Sequence, residues 1–192
     1  MAKDTASPQR MIFEGVNHVA LVCRDMAETV DFYENVLDMP LVKTVEMGGH
    51  GQHFFFDCGG GGTLAFMWFK DAVPAAPGVA SQHADVRKDG AATAIASMNH
   101  LAIGIPLEKF DDYAQRLRDR GLTVRVINHN DGEDANKIEL TPNTWIRSMY
   151  FRDPSGIAME LAALARPYRP DDVGIAPVDA EGRPVVKNPA PI

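Results

Sequence analysis

A chain of 192 residues is long enough for one domain, or for two small modules sharing a core. Hydrophobic residues at 45 % and charged residues at 23 % are ordinary for a soluble globular protein. A net charge of −7 argues against a broad nucleic-acid surface or an anionic membrane partner, and no stretch has the apolar length of a membrane helix.

Residues 1–12 read as a flexible, polar leader without the apolar run of a signal peptide, which suggests a cytoplasmic protein. Cys23 and Cys58 make no disulfide framework and read as reduced structural thiols. Residues 13–165 form the expected domain, in two modules of about 13–69 and 97–165 that resemble each other. Aligning Asn17-His18 on Asn99-His100 sets Val19 on Leu101, Ala20 on Ala102 and Leu21 on Ile103.

Each module opens with a short apolar run, read as a strand, followed by a helix. In the first, Asp25 is the expected cap with Glu28 three residues on, and Val30, Tyr33 and Leu37 follow at helical spacing. Residues 70–96, rich in Ala, Pro and Gly, read as a connector. In the second helix Phe110, Tyr113, Ala114 and Leu117 recur on one face, and Gly121 after Arg118 and Arg120 marks its end. Three strands follow each helix, the last two joined by a turn at Gly59 to Gly62 and again at Asp153 to Gly156. The fold class is therefore α+β, two tandem βαβββ modules forming a cupped mixed sheet around a metal site. Residues 166–192 hold six of the thirteen prolines and read as a tail or an extended arm.

Strand alternation places His18 with Ala20 and Val22 on one face, and His100 with Ala102 and Gly104. Equivalent positions in a duplicated fold are expected to approach across a pseudo-twofold axis. Glu160 is a single carboxylate in the apolar run IAMELAAL, and a buried, unpaired carboxylate costs several kcal/mol. The three together read as the seat of one divalent metal per chain, with positions open for water, substrate or O2. Fe(II) suits this set, and Mn, Co, Ni or Zn also fit it. A satisfied core or surface role is the bland reading for each histidine alone.

The remaining signals are weaker. The GGGG run at 59–62 lacks the Lys-Ser/Thr and the helix of a phosphate loop. Phe66 and Trp68 are expected on the face that lines the cavity, His50 and His83 in solvated loops.

The twin N-H-x-A openings, the duplicated βαβββ order and the closing YFRDPSGIAMELA resemble the vicinal oxygen chelate superfamily over about residues 13–165. The superfamily includes glyoxalase I, epimerases, fosfomycin and bleomycin resistance proteins and extradiol dioxygenases. A glyoxalase-like fourth ligand would stand at the first-module equivalent of Glu160, aligned here with Phe66, which does not ligate. The His-His-Glu set, CGGGGTLAF, Tyr150 and His129 are closest to the extradiol dioxygenase branch. The resemblance implies Tyr150 and His129 as catalytic residues, a catechol-like substrate with vicinal oxygens, O2 and a homodimer. One departure is Gly62, where those dioxygenases carry an acid-base histidine; His53 on the neighbouring strand is a candidate substitute. The expectation is an Fe(II) extradiol-type dioxygenase. The alternatives are a metal-dependent isomerase or lyase acting through an enediolate, and a non-catalytic binding protein.

Overall fold

The computed structural model describes residues 11–76, 93–132 and 136–185, with the backbone alone for 136 and 137. Two mixed sheets carry the molecule, one per module. The first runs β1 (His18–Val22), β4 (Thr63–Phe69), β3 (Gly51–Asp57), β2 (Leu41–Glu46). The second runs β5 (Leu101–Gly104), β9 (Ala158–Leu164), β8 (Thr144–Arg152), β6 (Arg125–Asn130), then the short β7 (Asn136–Lys137). In each, the opening strand lies parallel to the last and the other pairs are antiparallel, so the duplicated order read from the sequence is present. β7 is an addition in the second module. Of the connector, residues 77–92 lie outside the described residues.

The helices begin and end where local chemistry dictates. Asp25 accepts a hydrogen bond from the Glu28 amide at 3.0 Å and starts α1 (Met26–Asp31). The reciprocal half of the capping box is missing, because the Glu28 carboxylate takes Arg24 at 2.6 Å instead. The helix then widens into a π-turn over Phe32–Val36, and this buries the adjacent Phe32 and Tyr33 together. In α2 (Phe110–Asp119) the expected face is buried: Phe110, Ala114 and Leu117. Gly121, at φ +84°, stops it in the left-handed region where a side chain is disfavoured. Arg147 ties α2 to its sheet, with its guanidinium 4.1 Å over the Phe110 ring and bonds of 2.8 and 3.2 Å to Asp111.

One face of each sheet packs on helix. Phe66, fully buried, lies 4.7 Å from the Tyr33 ring, and Phe56 lies 5.3 Å from it. Trp68 packs against the same core, so Phe66 and Trp68 line no cavity on the opposite face, contrary to expectation. Alternation fixes the two faces, but the helix took the one with the larger side chains, since that burial is worth about 2–3 kcal/mol per large residue.

The modules meet through these helix-bearing sides. Tyr33 hydrogen-bonds Asp153 at 3.3 Å, Phe32 packs 6.5 Å from Phe151, and the Arg24 amide donates to Ser155. The core is one continuous cluster across both modules. The opposite faces stay open: His18, Ala20 and Val22 of β1 are exposed, as are Ala102 and Gly104 of β5.

Beyond the domain, Arg166 anchors the following segment to Asp131 and Asp172 at 2.7–3.0 Å. Residues 170–173 form a single 3-10 turn.

Candidate functional site

The sheet registers define the site. In the second sheet Ala102 stands beside Glu160, Glu160 beside Tyr150, and Tyr150 beside Arg125, in one row across four strands. The first sheet repeats that row as Ala20, Ala65, Phe55 and Lys43. The first-module equivalent of Glu160 is thus Ala65 and not Phe66. Ala65 faces the open side and cannot ligate, so the first module offers no fourth ligand at this place.

On the open face of the second sheet, His100 Nε2 lies 2.8 Å from a carboxylate oxygen of Glu160. The glutamate is 4 % exposed, while the histidine ring remains accessible. Asn99 places its amide oxygen 2.7 Å from His100 Nδ1 and so fixes the orientation of the ring. Asn17 does the same for His18, at 2.8 Å. The repeated Asn-His dipeptide is therefore a repeated device for orienting an imidazole.

Tyr150 stands next to this pair. Its hydroxyl is 3.2 Å from His129 Nε2. Burial, then the neighbouring Glu160 carboxylate, raise its pKa, so the phenol keeps its proton at neutral pH. His129 also lies 6.4 Å from the Trp145 ring. The structure thus brings His100, Glu160, Tyr150 and His129 to one face.

His18 is not among them. It stands on the open face of the first sheet, edge-on to Phe55 at 6.1 Å. Among the described residues no three His, Cys, Asp or Glu side chains form a metal-holding group. His53 is on the same face, 4.3 Å from the Phe55 ring, with Nε2 buried and without a hydrogen-bond partner. His50 lies in the turn before β3, and His83 lies outside the described residues.

Gly62 has a structural reason to be glycine. A Cβ there would come within 2.9 Å of the Val16 carbonyl oxygen. No histidine stands at that position without moving the backbone. Arg125 was missed by sequence reasoning; only the register places it in the row with Glu160. Cys23 is buried and Cys58 half-buried, both free, and burial raises both thiols. A cavity of about 380 Å³ lies elsewhere, between the modules on the helix side, near Met39, Cys58, Ile105 and Tyr113. It holds none of the four site residues.

No helix among the described residues is long and apolar enough to cross a membrane. Among solved structures, SMU.1112c is similar at 21 % identity and TM-score 0.54, over 77 % of this chain and 97 % of that one. A glyoxalase family protein from Enterococcus faecalis gives 19 % and 0.56, over 79 % and 99 %. The fosfomycin resistance protein FosX from Listeria monocytogenes, solved with Mn(II) and sulfate, gives 18 % and 0.50, over 79 % and 93 %. These likenesses establish the fold. No curated protein matches the chain. The model of the Glyoxalase/Bleomycin resistance protein/Dioxygenase superfamily matches residues 15–161, and the chain belongs to that superfamily, the vicinal oxygen chelate proteins.

Proposed function

We propose that this protein is a metal-dependent enzyme acting on a small substrate with two neighbouring oxygens. Its metal seat combines His100 and Glu160 of one chain with His18 of a second copy in a homodimer. The His100–Glu160 pair carries this reading. A carboxylate 4 % exposed, with an oriented imidazole as its charged-group neighbour, suits a cation between them. Their separation is 2.8 Å.

The third ligand follows from topology. His18 is exposed and oriented on the open face of the other sheet, and the helix-side union of the modules leaves both open faces uncovered. A second copy that sets its first module on this second module brings His18 to the pair. A twofold arrangement makes two such seats.

The metal, when bound, supplies Lewis-acid polarisation of the chelated substrate and suits Fe(II), with Mn, Co, Ni or Zn also accepted by the donors. Tyr150, protonated beside Glu160, donates a hydrogen bond toward a substrate oxygen. His129 holds the far side of that phenol and takes or returns its proton. Ala102 and Gly104 leave room for a flat ring over β5. This set favours extradiol-type cleavage of a catechol-like substrate with O2. A second reading, an isomerase or lyase acting through an enediolate, is favoured by Gly62, whose backbone contact leaves no place for the acid-base histidine of the dioxygenases.

Metal content after purification without oxygen, followed by Fe(II) titration, tests the seat. The expected result is one metal per chain, lost in His18→Ala and in Glu160→Ala. The two variants, coexpressed with different tags and isolated as the mixed dimer, regain about half of the wild-type sites, because one of the two seats in that dimer is intact. No recovery refutes the shared seat, and wild-type affinity in Glu160→Ala refutes the seat altogether. Oxygen uptake on a panel of catechols separates the two reactions.

A further inference from the structure

The row that contains Glu160 ends in a cation. Arg125 on β6 lies directly opposite Tyr150 on the open face, and Tyr150 lies opposite Glu160. With strands about 4.8 Å apart, the Arg125 backbone is on the order of 10 Å from that of Glu160. Arg125 is exposed and forms no ion pair among the described residues. The first sheet ends its row in Lys43, likewise exposed and without an ion pair among the described residues. Each open face thus carries an exposed cation at the repeat-equivalent end of its row.

We propose that Arg125 selects substrates carrying an anionic oxyacid group, such as a carboxylate, on the side remote from the two chelating oxygens. The inference rests on the metal seat proposed above and names the class of substrate that seat takes. With the vicinal oxygens at His100 and Glu160, a flat ring lies along the row over Tyr150. A substituent on its far edge then meets the guanidinium, whose paired N–H donors match a carboxylate.

The test uses full-length protein loaded with Mn(II) and kept free of oxygen, so that binding is read without turnover. Affinities for 3,4-dihydroxybenzoate and 4-methylcatechol are measured by calorimetry. The wild type is expected to prefer the acid by roughly tenfold, a charge-assisted pair's worth. The carboxylate also acidifies the catechol, so the change on mutation decides the matter. Arg125→Ala should bring the ratio of affinities to within about twofold of unity, and Arg125→Lys should restore part of it. Arg118→Ala, on the exposed side of α2, should leave the ratio at its wild-type value. A ratio unchanged in Arg125→Ala overturns the proposal and leaves the seat standing. Failure of both catechols to bind the Mn(II)-loaded protein overturns the catechol-like substrate and this proposal with it, whereas failure of the protein to take up Mn(II) overturns the seat.

Discussion

Asp153 gives the sharpest test of how the two modules are joined. Its carboxylate is 5 % exposed, accepts the Ile157 amide at 2.8 Å and takes the Tyr33 hydroxyl from the other module at 3.3 Å. Burial outweighs these hydrogen bonds and pushes its pKa up from 3.8 to about 6. The folded state therefore holds this proton more tightly than the unfolded chain. The stabilisation is complete below about pH 4 and is lost as pH rises through about 6. A difference of roughly two pH units corresponds to about 3 kcal/mol. Asn at this position is neutral throughout, keeps an oxygen for the Ile157 amide and escapes the cost of burying a charge. Urea denaturation of wild type and Asp153→Asn, in steps from pH 4 to 7.5, reads the difference directly. The stability of the variant relative to wild type should rise by about 3 kcal/mol across that range and level off above pH 7. Other carboxylates cancel in the difference: Asp111 and Asp172, held below the usual range by Arg147 and Arg166, titrate alike in both proteins. A flat difference, or one that falls with pH, refutes the reasoning.

Three further outcomes follow from the geometry. Phe66→Ala empties a fully buried site against Tyr33 and should cost about 3–5 kcal/mol in the same denaturation assay. Gly62→Ala should cost roughly 1–3 kcal/mol, because its methyl group meets the Val16 carbonyl; thermal unfolding measures it, and an unchanged midpoint would show that the turn yields freely. Tyr150→Phe removes the hydroxyl held at 3.2 Å by His129, and should leave metal affinity near wild type while lowering kcat by about 10²-fold or more, read by oxygen uptake on the best catechol.

Much of the fold was legible because it is written locally. Asp25 caps, Gly121 stops and the Phe110–Leu117 face repeats at helical spacing, and each depends on neighbours within a few residues. The two faces of β1 and β5 were legible for the same reason, since alternation is a property of the strand itself. The equivalence of Phe66 with Glu160 fails by one residue, because a run of four glycines does not show which of them answers to Gly156. In the fold, the Cys58 amide closes on the Gly62 carbonyl as the Asp153 amide closes on that of Ile157. The glycine matching Gly156 (φ +88°) is therefore Gly61 (φ +81°).

The sequence alone determined the duplicated βαβββ order, the superfamily, and that His18 and His100 hold equivalent places in the two modules. Only the tertiary structure decided that the helices cover the Phe66 face, that the modules of one chain join through those helices, and that Arg125 completes the row beginning at Ala102. The physical reason is range. Capping, turns and alternation are fixed by a few adjacent residues. Which face is buried, and which sheet it faces, is set by the summed packing of side chains such as Tyr33, Phe56 and Met159, far apart in the chain and brought together only in the finished core.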